Sequence, residues 1–344
     1  MKDIGVRGTR TRRSFVRCGI LGGIGWAALG AELPLLSGKN LARASVLPSD
    51  QLSKCPFRLA VINDEITQDF EKACRIAAND FGLEWIEVRS MWNKNVTTLN
   101  DKEVAEAVRI LAEHRLRVTD IASPLFKTDW PGAPISKLSE TRDQFHANFD
   151  SKAQDQLLER CISVAKSFGT DRIRCFDFWR LDDQKLYRTA INTRLQQAAE
   201  RCAKDNLVLL LENEMSCNTA TGGEAAAVLQ AIPNTNFMLN WDPGNAVAFA
   251  GTPNSAGYKN LPKHRIGHCH CKDVVRKQGG KYDWAPVGSG MVDWIDQVKA
   301  LQQDGFHYGL SLETHWRGAG TAEASTRTSM GGLKHTLNQA GFSC

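Results

Sequence analysis

The sequence predicts a single (β/α)8 TIM barrel, an α/β fold in which eight parallel strands alternate with helices. From Phe57 onward, short apolar runs rich in β-branched residues alternate with amphipathic stretches of helical spacing. Eight such units fill about 260 residues, a usual size for this barrel. The first strand is followed by Asp64-Glu65-Ile66-Thr67, without the glycine-rich phosphate loop that a doubly wound open sheet places there.

Each predicted strand is a short apolar run. In chain order the strands are RLAVIN (58–63), WIEVR (85–89), RVTDIAS (117–123), RIRCFDF (172–178), LVLLLE (207–212), FMLNWD (237–242), RIGHCH (265–270) and YGLSLE (308–313). The run LVLLL is apolar at every position, which is typical of strands buried on both faces.

The helices predicted between the strands include DFEKACRIAANDFG (69–82), DKEVAEAVRILAEH (101–114), DQLLERCISVAKSFG (155–169) and RLQQAAERCAKD (194–205). Several of them end at Gly or Asn, as helices often do. Residues 124–150 and 243–262 are predicted to be long loops after strands 3 and 6. Loops at the carboxyl ends of barrel strands build active-site walls.

The charge of the chain is concentrated before the barrel. Residues 1–44 carry eight of the 43 basic residues and two of the 38 acidic ones, which leaves 35 basic and 36 acidic residues for the rest. A balanced barrel lacks the basic surface of a nucleic-acid-binding protein, so no nucleic-acid partner is expected. Most of the ten cysteines are scattered singly in predicted helices and strands, and we expect them to be small buried hydrophobic residues.

The first 44 residues resemble a twin-arginine export signal. Arg12-Arg13 and Phe15 precede an apolar, glycine-rich run, and residues 42–44 (Ala-Arg-Ala) resemble a signal cleavage site. We therefore expect a signal peptide (1–44), a linker (45–56) and a barrel (57–341), a periplasmic or extracellular location, and the Tat export machinery as a partner. No stable membrane span is expected after cleavage. The alternative is an uncleaved anchor formed by Cys18–Leu29.

The stretch IGHCHCKD (266–273) alternates two histidines with two cysteines. Successive side chains of a strand point to opposite faces, so His268 and His270 share one face and Cys269 and Cys271 the other. This geometry excludes a tetrahedral zinc site made from the four residues. We expect the histidines to face the barrel axis and the cysteines to pack against the helices.

Each of the last four predicted strands ends with a potential metal ligand. These residues are Glu212, Asp242, His270 and Glu313. Neighbouring parallel strands bring their carboxyl ends to one arc of the barrel mouth. Three carboxylates and one imidazole suit Mn²⁺, Mg²⁺, Co²⁺ or Zn²⁺. Taken singly, each residue could be a helix cap, a turn residue or half of an ion pair, but burying three carboxylates together without a cation would be costly.

Several motifs resemble the xylose isomerase-like superfamily of sugar isomerases and epimerases, which includes ketose 3-epimerases and inosose-type enzymes. They are LLLENE (209–214), NWDPGN (240–245), GHCHCKD (267–273), VGSGMVDW (287–294) and LSLETHW (310–316), with weaker matches at INDEIT (62–67), IEVR (86–89) and FDFWR (176–180). The resemblance spans about Phe57 to Leu337. It implies that Glu212, Asp242, His270 and Glu313 hold the metal and that Glu212 and Glu313 form the acid/base pair.

These residues suit proton transfer at a carbon next to a carbonyl, through an enediolate. We expect an isomerase or epimerase of a small-molecule sugar or cyclitol. Loss of a β-hydroxyl from the same intermediate would make the protein a dehydratase or lyase, and a non-catalytic periplasmic sugar-binding barrel is a further alternative. An abasic-site endonuclease of the same superfamily is disfavoured, because few histidines lie at strand ends and the charge is balanced. A homo-oligomer is compatible with the sequence.

Further residues near the strand ends are candidates for substrate binding. They are Glu87, Asn245, His268, Lys272, Arg276 and Trp316. Arg276 lies where ketose 3-epimerases have a substrate-binding arginine, while a solvated loop charge is the alternative for it and for Lys272. His268 is better placed to support His270 than to bind metal. Asn218 and Asn245 stand where ketose 3-epimerases have Glu and His, which argues against that particular activity.

Overall fold

The computed structural model describes residues 52–134, 136, 149–251 and 257–344. The expected signal peptide (1–44) lies outside the described residues, as do most of the linker and parts of both predicted loops. No helix in the described ranges is long and apolar enough to cross a membrane.

Eight parallel strands form a nearly closed barrel. They are β1 (Arg58–Val61), β2 (Trp85–Val88), β3 (Arg117–Leu125), β4 (Arg172–Cys175), β5 (Val208–Glu212), β6 (Phe237–Trp241), β7 (Ile266–Cys271) and β8 (Gly309–Leu312). Their hydrogen-bonded order is β1-β8-β7-β6-β5-β4-β3-β2. A single parallel bridge between Ile62 and Glu87 joins the two ends of this sheet. The (β/α)8 prediction is confirmed, and each strand lies within its predicted run to within about two residues.

Helices connect the strands and cover their outer face. They are α1 (Asn63–Ile66), α2 (Phe70–Arg75), α3 (Asp101–Glu113), α4 (Gln154–Ser167), α5 (Gln184–Ala203), α6 (Gly222–Ala231), α7 (Pro243–Ala250), α8 (Trp294–Gln303) and α9 (Ala322–Gln339). A hydrophobic core lies between strands and helices and includes Cys269 and Cys271, as predicted. His268 and His270 are equally buried but alternate with them on β7.

The predicted loop at 243–262 is wrong in its first part, where α7 forms directly after β6. Pro243 stands at the first turn, a position that tolerates its missing N–H. The Asp242 side chain caps the helix by accepting a hydrogen bond of 2.8 Å from the Asn245 N–H. Gly251 ends it in a left-handed conformation with φ of 72°.

Three small strand pairings lie outside the barrel sheet within the described residues, and the first joins Ser90–Met91 to Lys94–Asn95. After β7, Asp273–Arg276 pairs with Tyr282–Ala285 as an antiparallel hairpin. Ser53–Lys54 pairs in parallel with Phe342–Ser343, and a disulfide joins Cys55 to Cys344 next to this pairing. The disulfide departs from the expectation for these two cysteines, whereas seven further described cysteines are buried thiols, as expected.

Candidate active site

The four residues predicted as metal ligands come together at the carboxyl end of the barrel. One ligand atom of each lies within 4.8 Å of all the others. The Nδ1 atom of His270 is 3.2 Å from Glu313 Oε2, 3.4 Å from Glu212 Oε1 and 4.0 Å from Asp242 Oδ2. All four residues are at most 2% exposed. We call these four residues the metal cluster.

The metal cluster has the donor set and the unsatisfied atoms that a divalent cation requires. Among the described residues, no hydrogen-bond partner reaches His270 Nδ1, Asp242 Oδ2, Glu212 Oε2 or Glu313 Oε2, although all are buried. Buried polar atoms are rarely left in this state. Three carboxylates and an imidazole therefore fit an ion such as Mn²⁺, Mg²⁺, Co²⁺ or Zn²⁺.

Two cations of the chain offset part of the negative charge in the cluster. Lys272 Nζ lies 2.7 Å from Glu313 Oε2 and 3.1 Å from Asp242 Oδ2, and Arg174 Nη1 lies 3.1 Å from Glu212 Oε2. These contacts are close enough for ion pairing but lack hydrogen-bond geometry.

A buried network beneath the cluster fixes the orientation of His270. Its Nε2 atom is 3.0 Å from Glu87 Oε1 and 3.0 Å from the amide of Asn240. Glu87 Oε2 is 3.2 Å from His268 Nε2, and His268 Nδ1 is 3.5 Å from Asp120 Oδ1. A hydrogen bond at one imidazole nitrogen fixes the ring so that the other nitrogen is available to a metal ion. The contacts at Nε2 therefore orient His270 Nδ1 toward the carboxylates. Glu87 and His268 are fully buried and belong to this network, while a substrate-binding role for them stays a prediction.

Lys272 and Asn245 border the metal cluster. Lys272 is only 1% exposed, so its interpretation as a solvated loop charge is wrong. Burial alone would lower the pKa of Lys272, but Asp242 and Glu313 raise it well above its ordinary value, and the side chain is a charged ammonium. Asn245 accepts from Lys272 Nζ at 3.3 Å and donates toward Glu212 Oε1 at 3.4 Å.

Arg276 and Trp316 are less closely tied to the cluster. Arg276 is exposed on the hairpin, with its guanidinium 5.9 Å from the Tyr282 ring centre. No hydrogen bond or ion pair within the described ranges joins it to the metal cluster. Trp316 is half-buried three residues after Glu313. A substrate-binding role for these two residues stays a prediction.

Sequence reasoning missed a second group of charged residues beside Glu313. Glu65, Glu313 and His315 bring one ligand atom each within 4.8 Å of one another. Arg89 donates hydrogen bonds to Asp64, Glu65 and Glu313 at 2.9, 2.9 and 2.7 Å. Glu87 and Arg89 are two residues apart at the end of β2, so the sequence indicates that both side chains face inward. It did not predict which carboxylates Arg89 would contact.

Aromatic side chains line the mouth around these charges. The Trp284 ring centre on the hairpin is 5.0 Å from Lys272 Nζ and 5.6 Å from the His315 ring. After β3, Lys127 places its ammonium 4.4 Å from the Phe176 ring centre and 3.3 Å from Glu214. Aromatic faces beside charged groups suit a ligand that has both C–H faces and hydroxyls.

The electrostatics keep two glutamates of the cluster ionised. Burial would raise the pKa of Glu212, but His270 and Arg174 outweigh it and lower the value to about 2. For Glu313, Lys272, His315 and His270 likewise overcome burial and hold the pKa well below its ordinary value. Both side chains are therefore carboxylates at neutral pH and can accept a proton.

Comparison with known proteins gives one family match and many structural ones. The model of the xylose isomerase-like TIM barrel family matches residues 76–336. A search of curated proteins gives no match. Similar solved structures include the IOLI protein with a bound zinc atom, at 17% identity and a TM-score of 0.62, over 84% of this chain and 100% of that one.

Two further structures cover most of the barrel. The probable 3-DHS dehydratase AsbF from Bacillus anthracis is 17% identical with a TM-score of 0.61, over 81% of this chain and 98% of that one. A D-psicose 3-epimerase determined in the presence of D-fructose is 15% identical with a TM-score of 0.60, over 83% of this chain and 100% of that one. Because the family model covers well over half of its residues, this chain belongs to the xylose isomerase-like TIM barrel family.

Proposed function

We propose that the protein is a divalent-metal-dependent isomerase or epimerase of a sugar or cyclitol. The observation that carries the proposal is the metal cluster, in which four buried side chains bring one ligand atom each within 4.8 Å of one another and each has an atom without a hydrogen-bond partner within the described residues. The zinc atom of the IOLI structure and the activity of the D-psicose 3-epimerase support this reaction class, since both proteins share the barrel.

The chemistry needs a base and an acid on either side of a carbon next to a carbonyl. A divalent ion, when bound, would polarise the carbonyl and stabilise the negative charge of the enediolate. Glu212 and Glu313 are ionised, so either one can take the proton; the same glutamate can then return it, or the partner can return a proton that it has first taken from solvent. Return to the opposite face of the same carbon gives an epimer, and return to the neighbouring carbon gives an isomer.

The role of Glu313 is tested by solvent deuterium exchange into ketoses, inososes and 3-keto-glycosides with Mn²⁺, Co²⁺ or Mg²⁺. We expect the wild type to exchange one carbon-bound proton of its substrate and Glu313→Gln to lose about 10²- to 10⁴-fold of that rate, because an amide cannot accept the proton. Glu113→Gln, at an exposed glutamate of α3, is the matched control. Metal content is measured on each variant, and undiminished exchange by metal-loaded Glu313→Gln would remove Glu313 from the acid/base pair.

A dehydratase or lyase is a second candidate, favoured by the position of Lys272. Its ammonium lies 2.7 Å from Glu313 Oε2, where it can donate a proton to a departing hydroxyl after Glu313 removes the neighbouring proton. The similar barrel from Bacillus anthracis is a probable dehydratase. A product lighter by one water would identify this reaction, and Lys272→Met would then lose elimination while retaining deuterium exchange.

We also propose that the chain is exported by the twin-arginine pathway. The Arg12-Arg13 signal supports this, as does the disulfide between Cys55 and Cys344, because such bonds persist in oxidising compartments. In a bacterial host, replacing both Arg12 and Arg13 with Lys should retain the full chain inside the cell, whereas Arg10→Lys should not. Equal export of the wild type and both variants would contradict the pathway.

A further inference from the structure

Two potential cation positions share one carboxylate at the barrel mouth. Glu313 presents Oε2 to the metal cluster, 3.2 Å from His270 Nδ1. Its other oxygen, Oε1, lies 3.0 Å from His315 Nε2, which is also 3.4 Å from Glu65 Oε1. Glu65, Glu313 and His315 thus form a second donor set beside the first. Neighbouring sites bridged by a carboxylate are a common arrangement for two metal ions about 4 Å apart.

A side chain of the protein already occupies the second position. Arg89 Nη1 donates to Glu313 Oε1 at 2.7 Å, and Nη2 donates to Glu65 Oε1 at 2.9 Å. These are the two oxygens that a second metal ion would need. The Arg89 side chain is 1% exposed, and its guanidinium keeps its charge at any physiological pH. Its Nε is anchored by Asp64 at 2.9 Å.

The two positions differ in how their ligand atoms are satisfied. Within the described residues, the metal cluster has an unsatisfied atom on each of its four members, including Glu313 Oε2. At the second position every carboxylate oxygen has a partner. Arg89 and His315 both contact Glu313 Oε1. Arg89 also donates to Glu65 Oε1, and Arg317 donates to Glu65 Oε2 at 2.9 Å. The oxygens at the second position are therefore hydrogen-bonded, whereas the metal cluster, although Lys272 and Arg174 lie beside it, keeps ligand atoms without a hydrogen-bond partner within the described residues.

We propose that Arg89 is a built-in cation that fills the second position and keeps this centre mononuclear. The inference rests on the proposed metal site. Arg89 is a positioning residue in this scheme: by holding Oε1, it turns Oε2 of Glu313 toward the single ion. The fixed guanidinium supplies the charge that a second ion would otherwise provide to Glu65 and Glu313.

The experiment counts metal ions in the full chain. Wild type, Arg89→Met and Arg89→Lys are saturated with Mn²⁺ and dialysed, and bound metal is measured by elemental analysis and electron paramagnetic resonance. We expect one ion per chain in the wild type and in Arg89→Lys, which retains a cation. Arg89→Met, of similar length but neutral, should bind two ions and give the spectrum of an exchange-coupled pair. Adding Glu65→Gln to Arg89→Met should restore one ion, which places the second ion at Glu65.

The outcomes separate this inference from the function on which it rests. A wild type that binds no ion contradicts the proposed function itself. One ion in both wild type and folded Arg89→Met leaves the function intact and overturns the role of Arg89. Two coupled ions in the wild type overturn it directly. If Arg89→Met does not fold, the wild-type titration alone decides, since a second ion bound in millimolar Mn²⁺ contradicts the proposal and saturation at one supports it.

Discussion

His270 contacts acidic groups through both ring nitrogens, with different consequences. Nδ1 faces the metal cluster, whereas Nε2 lies 3.0 Å from Glu87 Oε1. Glu87 bridges His270 and His268 with its two oxygens, so an amide in its place could accept from only one imidazole. A carboxylate behind a metal-binding histidine strengthens binding at the other nitrogen.

Glu87→Gln is therefore expected to weaken metal binding by about 10- to 100-fold without removing a ligand. Competition with a coloured chelator measures the affinity. Glu84→Gln, at an exposed glutamate three residues earlier, should bind metal as the wild type does. Equal affinities of the two variants would show that Glu87 does not support His270.

The sequence predicted part of this site because the hydrophobic periodicity of a strand, and which residue stands at its end, can be read from neighbouring residues alone. The ends of β5 to β8 bring Glu212, Asp242, His270 and Glu313 to one face, a consequence of parallel strands that can be read from residue order. The contacts of Arg89 with Asp64, Glu65 and Glu313 could not be predicted in this way. They depend on where α1, which holds Asp64 and Glu65, lies relative to the ends of β2 and β8, and residues distant in sequence meet there only in the folded chain.

At the scale of elements, Asp242 links a helix to the site. Its Oδ1 caps α7 through the Asn245 N–H, and its Oδ2 faces the metal cluster. The loop predicted over 243–262 missed this helix because Pro and Gly are frequent in turns as well as in first helical turns. The same side chain therefore has a structural role and a proposed metal-binding role, and two substitutions can separate them.

Asp242→Asn should keep the cap and reduce metal affinity, because its side-chain oxygen can still accept from Asn245 while the negative charge is gone. Asp242→Ala should lose both, with a cost of about 1 kcal/mol in the free energy of unfolding of the metal-free protein. Urea unfolding in EDTA and metal titration measure the two quantities. An Asn variant as unstable as the Ala variant would contradict a capping role for this side chain.

The start of α6 provides a pH-dependent contact away from the metal cluster. Glu224 accepts hydrogen bonds from the Ala220 and Thr221 N–H groups and pairs with Arg180 at 2.6 Å. Burial acts in the opposite direction, but Arg180 and these N–H groups lower the pKa of Glu224 below its ordinary 4.5. A lowered folded-state pKa stabilises the protein above about pH 4.5, and this contribution is lost as the pH falls through the folded-state value.

Glu224→Gln should therefore be less stable than the wild type at pH 7, and the difference should shrink as the pH falls below about 4.5. Chemical unfolding at several pH values, in EDTA to remove effects of metal binding, measures this difference. Because the side chain is partly exposed, the effect at pH 7 should be small. A difference that grows toward acidic pH would have the wrong sign for this explanation.

At the scale of the whole molecule, the two ends of the described barrel are tied together. Ser53–Lys54 precedes β1 and pairs with Phe342–Ser343, which follows α9. The disulfide between Cys55 and Cys344 closes a loop with a sequence separation of 289 residues. The barrel itself could be predicted from its repeated strand–helix units, but this closure could not, since cysteines scattered singly do not indicate their partners.

Cross-linking distant residues restricts the unfolded chain, with a typical stabilisation of about 2–4 kcal/mol. The double variant Cys55→Ser/Cys344→Ser should therefore lose about that free energy of unfolding, as measured by urea titration. A reducing agent should lower the stability of the wild type to that of the double variant and leave the variant unchanged, because the other described cysteines are buried thiols. Wild type and double variant with equal stability under oxidising conditions would show that the bond does not form in the folded protein.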